Sequence, residues 1–183
     1  MRTVNNLCSD IYFGSGVFRD CVGLANQKGF VIVGDVLYSY HGENIDVSIP
    51  SGIRTISSYA YYRNDQIEQL TIPEGVENIG LYSFSNMRRL KSVSFPSTLK
   101  TIDQNAFSEC NELVSVILPN GLEAIRRGAF SLCRNLKSVV LPRSLRILDY
   151  DAFFDRRSIL FRVAQGSFTE KAVREYGCKV EYL

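Results

Sequence analysis

The sequence predicts a strand-dominated solenoid of stacked coils in the α/β class, and two observations carry that reading. All five prolines, Pro50, Pro73, Pro96, Pro119 and Pro142, stand 23 residues apart. Around each of them the same residue types recur at the same distances. Proline fixes φ and cannot donate a backbone hydrogen bond, so it marks one bend that the chain repeats at every pass. A constant period of roughly 20 to 50 residues is the signature of a repeat architecture.

Counted from the proline, an aliphatic residue stands three positions on at Ile53, Val76, Leu99, Leu122 and Leu145. Six on stand Ile56, Ile79, Ile102, Ile125 and Leu148. Ten on comes a small residue (Ala60, Ser83, Ala106, Ala129, Ala152), followed at once by an aromatic one (Tyr61, Phe84, Phe107, Phe130, Phe153). Seventeen on come Ile67, Leu90, Leu113, Leu136 and Ile159, and the approach to the next proline adds Leu70, Val93, Val116 and Val139. One coil cannot bury its apolar face alone, whereas stacked coils bury a continuous core. The small residue lets the chain pass close to that core, and the ring beside it fills the space. Leu136-x-x-Val139-x-Leu141-Pro142 ends in an alternation of period two, the mark of a half-buried strand. Strands of successive coils then pair in parallel about 4.8 Å apart.

The run Leu113-x-x-Val116-x-Leu118-Pro119, followed by Ile125, Ala129, Phe130 and Cys133, resembles the BspA-like leucine-rich-repeat family. Five such copies cover residues 47–163. The resemblance implies a right-handed, curved leucine-rich-repeat array of about five coils, with its parallel sheet on the concave face. It also implies a bacterial cell-surface or secreted protein that adheres to host or neighbouring-cell macromolecules.

The flanks extend the pattern. Phe18, Cys21 and Leu24 match the spacing of Phe107, Cys110 and Leu113, so residues 1–28 read as a degenerate copy, out of phase with the rest. Residues 29–46 read as an inserted hairpin, two strands around Gly34-Asp35. At the position expected to be apolar in the last coil stands Arg162, with Val163 one step later, which signals a shifted or ending strand. Residues 164–183 then read as a terminal cap. Ser167-x-x-Glu170 is a capping box that opens a short helix, Gly177 closes it, and Lys179–Leu183 supplies a final strand. All four segments form one structural domain.

Composition bounds the function. Hydrophobic residues at 45% and charged residues at 22% are ordinary globular values. A net charge of +2 argues against a nucleic-acid binder. No apolar run approaches the roughly 18 residues of a membrane span, and the amino terminus shows no secretory leader. The single histidine, His41, falls beside Gly42 in the hairpin region, which leaves Cys and Ser nucleophiles without a base. Phosphate-binding glycine loops are missing, and the carboxylates are scattered singly. Neither catalysis, a cofactor nor a metal is expected. Five cysteines make an odd count. Cys110 and Cys133 occupy equivalent positions one coil apart and suit either a disulfide or two buried thiols.

Two surfaces remain for binding. Residues that alternate with the core on the strands are Gln69, Thr71, Ser92, Ser94, Ser115, Ile117, Ser138 and Val140, a small and uncharged strip. By resemblance to leucine-rich repeats, the concave sheet that carries them is the candidate face for a protein or glycan. Charge is uneven: residues 126–163 hold nine Lys and Arg against three Asp and Glu. Within them Arg134, Lys137, Arg156 and Arg157 mark a basic patch that would draw an acidic partner. A structural spacer within a larger or intracellular protein is the competing reading.

Overall fold

The computed structural model describes residues 21–153 and 156–183. The apolar periodicity becomes a solenoid in which each coil makes three passes. Strands before the bend are β3 (Asp46–Ser48), β5 (Gln69–Thr71), β7 (Ser92–Ser94), β9 (Ser115–Ile117), β11 (Ser138–Val140) and β13 (Leu160–Val163). Two-residue strands after it are β4 (Thr55–Ile56), β6 (Asn78–Ile79), β8 (Thr101–Ile102), β10 (Ala124–Ile125) and β12 (Ile147–Leu148). A hairpin of β1 (Phe30–Val33) and β2 (Val36–Tyr40) precedes them, and helix α1 (Phe168–Glu175) and β14 (Lys179–Tyr182) follow.

The short strands form one sheet in register, so that Leu37, Ile56, Ile79, Ile102, Ile125 and Leu148 lie side by side. The pre-proline strands form two sheets, β3-β5-β7 and β9-β11-β13-β14. The division falls where Phe95 replaces the aliphatic residue found at Ile49, Ile72, Leu118 and Leu141. Its ring packs edge-on to Phe107, with centroids 5.6 Å apart, and the extra bulk sits at the break in the ladder.

The third pass is a ladder of turns. Tyr59, Tyr61 and Arg63 donate their backbone N–H groups to Leu81, Ser83 and Ser85, and the next coils repeat this one step on. Two residues per turn are left-handed. Tyr59, Tyr82, Asn105 and Gly128 occupy one such corner, and Arg63, Asn86, Glu109 and Leu132 the other, with φ between 52° and 64°. Left-handed backbone costs L-residues free energy, and isolated cases often mark functional strain. Here the recurrence assigns it to coil geometry.

Rings stack along the core in the order Tyr40, Tyr61, Phe84, Phe107, Phe130 and Phe153, with centroids 5.0–5.3 Å apart. Phe30 tilts onto one end, and Phe161 closes the other edge-on. This column shows that the hairpin is not an insertion hanging from the array. β2 pairs with β4, and Leu37 and Tyr40 fill the slots of Ile56 and Tyr61. The hairpin therefore builds a sixth coil. Because these residues do not stand 23 positions before their counterparts, the proline count misses it.

At the other end the strand shifts rather than stops. Ser138 pairs with Leu160 and Val139 with Phe161, so the last coil is one residue short. Phe161 takes the buried slot, Arg162 turns out to solvent beside Val140, and Val163 is buried again. Ser167 caps α1 by accepting from the Glu170 N–H, while the Glu170 carboxylate reaches the Gly166 N–H instead of that of Ser167. Helix α1 buries Ala172 and Val173, and β14 adds to β13 in parallel. Of the degenerate first copy, the Cys21–Leu24 turn repeats the Cys110–Leu113 hydrogen bond, and Phe18 lies outside the described residues.

Candidate interaction surfaces

On the strands, a residue whose neighbours face the core must face away from it. Gln69, Thr71, Ser92, Ser94, Ser115 and Ile117 are exposed, and Ser138 and Val140 are half-buried. Register sets Gln69 beside Ser92 and Thr71 beside Ser94, then Ser115 beside Ser138 and Ile117 beside Val140. Ile117 is 71% exposed, the aliphatic high point of a strip otherwise dominated by hydroxyls. Charge enters at the ends, with Asp46 on β3 and the Arg162–Glu181 ion pair on β13 and β14.

The basic residues separate. Arg134, Lys137 and Arg157 are exposed. Arg156 is half-buried, its guanidinium 3.8 Å above the centre of the Tyr150 ring and 5.9 Å from that of Tyr176. Tyr176 belongs to the cap, and its hydroxyl donates to the Leu148 carbonyl, so it is fixed there by a contact no repeat count contains. Sequence reasoning missed Arg88, which stands two periods before Arg134 in the same column. Both line a recess of about 300 Å³ with Glu109, Asn111 and Leu132, opened by the short Asn111 between the two arginines.

Another column is compensated. Four residues after each proline stand Arg54, Glu77, Lys100, Glu123 and Arg146, alternating in sign. Backbone bonds hold these neighbours together, from Glu77 N–H to Arg54, Lys100 to Glu77, Glu123 to Lys100 and Arg146 to Glu123. Arg54 pairs with Glu77 at 2.9 Å and Lys100 with Glu123 at 3.7 Å. The Arg54 hydrogen bond, followed by its charge and that of Lys100, holds the Glu77 carboxyl below its usual range.

The groups that could carry chemistry are His41 and the cysteines. His41 shares a hydrogen bond with Ser39. Cys110 and Cys133 are free and buried, donating to the carbonyls of Phe84 and Phe107 at 3.3 and 3.1 Å. Burial, reinforced by the neighbouring Cys133, pushes the Cys110 thiol well above its usual range. The alternatives for this pair resolve to two buried thiols. Cys21 is disulfide-bonded. Among the described residues no cluster of three or more His, Cys, Asp or Glu could hold a metal, and no helix is long and apolar enough to cross a membrane.

Coils of about 23 residues with parallel ladders and a stacked apolar core define a leucine-rich-repeat solenoid. The family model for the BspA type leucine rich repeat region matches residues 32–160 in six copies, and the chain belongs to that family. Its proteins are generally non-catalytic. Among solved structures, it is similar to the leucine-rich-repeat protein of T. pallidum, with 28% identity and a TM-score of 0.67 over 69% of this chain. It also shares its fold with the pneumococcal vaccine antigen PcpA (18% identity, TM-score 0.69, 85% of this chain). A leucine rich cell surface protein of Faecalibacterium prausnitzii shares it too (24% identity, TM-score 0.69, 75% of this chain). The match spans 62%, 48% and 37% of those three chains, respectively. No curated protein matches the sequence.

Proposed function

We propose that this chain is a non-catalytic binding module of a bacterial surface protein, which engages a protein or glycan ligand through the strand face. The observation that carries the reading is the strip from Gln69 to Val140. It is uncharged and largely exposed, on strands whose opposite side is packed core. A face held this rigidly orders few groups on binding, which lowers the entropic cost of association. The family and the F. prausnitzii relative, described as a cell surface protein, support the location.

The test is a screen of immobilised extracellular-matrix proteins and neutral glycans against the chain and its Ser94→Trp and Ser115→Trp variants. Binding at micromolar concentration that both variants lose supports the strand face. The four strands that carry the strip, β5, β7, β9 and β11, span only about 15 Å, a small footprint for a stable interface of roughly 800 Å² per partner. Silence throughout the screen favours the spacer.

A further inference from the structure

We propose that Arg88, Arg134, Lys137 and Arg157 form a ridge that binds a linear sulfated glycan along the solenoid axis. The ridge uses none of the strand-face residues, and binding there does not require binding on that face.

Two columns of the same molecule make the contrast. Four residues after the prolines, adjacent coils set opposite charges together. Fifteen residues after them stand Asp65, Arg88, Asn111, Arg134 and Arg157, and the last two place like charges on adjacent coils. Like charges directly across a ladder repel. Lys137 adds a further cation three residues after Arg134. All four basic residues are exposed, and none has an ion-pair partner among the described residues. Nearby cations are already engaged: Arg89 and Lys91 both hold Glu68, Arg127 holds Asp151, and Arg156 lies over Tyr150. The acids bordering the ridge are Asp65, which stands beside Arg88 in the column and accepts from its backbone N–H, Glu109, held by the Asn86 amide, and the exposed Glu112.

The shape selects the partner. From Arg88 to Arg157 is three coils, roughly 14 Å at the spacing of paired strands. A ridge of four side chains is too small for a folded acidic protein, whose interface needs about 800 Å². Arg88, Arg134 and Arg157 share one column with Lys137 beside it, a narrow track that suits one linear polyanion better than a duplex with phosphates on two strands. The column holds no aromatic side chain on which a single-stranded base could stack. Guanidinium groups grip tetrahedral oxyanions through paired N–H donors. The recess of about 300 Å³ between Arg88 and Arg134 lies at the small end of ligand sites, fit for one sugar ring.

Titration of the full chain with heparin oligosaccharide, as a model sulfated glycan, tests this. Binding should weaken linearly in log–log terms as salt rises. The variant carrying Arg88→Gln, Arg134→Gln, Lys137→Gln and Arg157→Gln should bind at least about tenfold more weakly, with a salt slope shallower by about one per cation removed. Arg54→Gln with Lys100→Gln, on the compensated column, should bind as the parent does. Should the fourfold variant fail to fold, Arg134→Gln and Arg157→Gln singly give the same reading. Equal affinity for desulfated heparin, polyglutamate, single-stranded DNA or phosphatidylserine vesicles overturns the proposal, as does heparin binding that the ridge variants leave intact.

Discussion

Phe107 and Phe130 stack face to face, with centroids 5.3 Å apart and ring planes within 4° of parallel. Both rings are fully buried, and each also meets the ring of its other neighbouring coil. Removing either one therefore empties space on two sides. Phe107→Ala should cost about 3–5 kcal/mol, and Phe130→Ala the same. Urea denaturation reads this directly, and an unchanged midpoint in either variant would contradict the stacked column.

Close backbone packing between coils makes a second prediction at Gly121. A Cβ there would stand 2.1 Å from the Ser97 carbonyl oxygen, a backbone atom that cannot swing aside. Gly121→Ala should destabilise the chain by about 1–3 kcal/mol through overpacking. Thermal denaturation would show it as a lowered midpoint; a neutral substitution would mean that the coils can part at little cost.

Thiol reactivity should divide by depth. Cys110 and Cys133 are buried and hydrogen-bonded to carbonyls, and burial raises the Cys110 thiol. Cys178 is half-buried, raised by burial but drawn down by Arg156 and Arg157. The thiolate is the reactive form. Iodoacetamide followed by mass spectrometry should label Cys178 first in the native protein and the other two only after unfolding. Early labelling of Cys110 would show that the coils breathe at that slot.

The carboxyl-terminal cap should respond to acid through Glu170. Its carboxylate accepts from the Tyr182 hydroxyl, the Gly166 N–H and the Arg174 guanidinium at 2.7–3.0 Å. These bonds, that of Tyr182 foremost, hold its carboxyl below the ordinary 4.5. A depressed value in the folded state means stabilisation present above 4.5 and lost as the pH falls through the lowered value. Glu170→Gln should lower the melting temperature at neutral pH, and the gap to the parent should close in acid. A gap that persisted at low pH would assign the effect to packing.

The core was legible because its demands are strict. A slot between two coils accepts one ring at the Phe107 position and one small side chain at Ala106, so the residue types betray the phase. The left-handed corners were not legible, because Tyr82, Asn105 and Gly128 share a backbone conformation and no chemistry. Likewise, nothing in the repeat shows that Arg156 meets Tyr176, since the tyrosine arrives from the cap. Arg88 could have been found, since it falls on the same 23-residue count as Arg134. The strand-face strip followed from alternation alone, whereas nothing in the repeat shows that its sheet divides between β7 and β9, beside the ring of Phe95.

The alternating column of Arg54, Glu77, Lys100, Glu123 and Arg146 gives the array a parity. Duplicating one coil in its middle would set two like charges on adjacent coils, whichever coil was copied. Duplicating two consecutive coils would leave every neighbour opposite in sign. By this rule, growth of the array by internal duplication, in nature or by engineering, goes more easily in steps of two coils than of one.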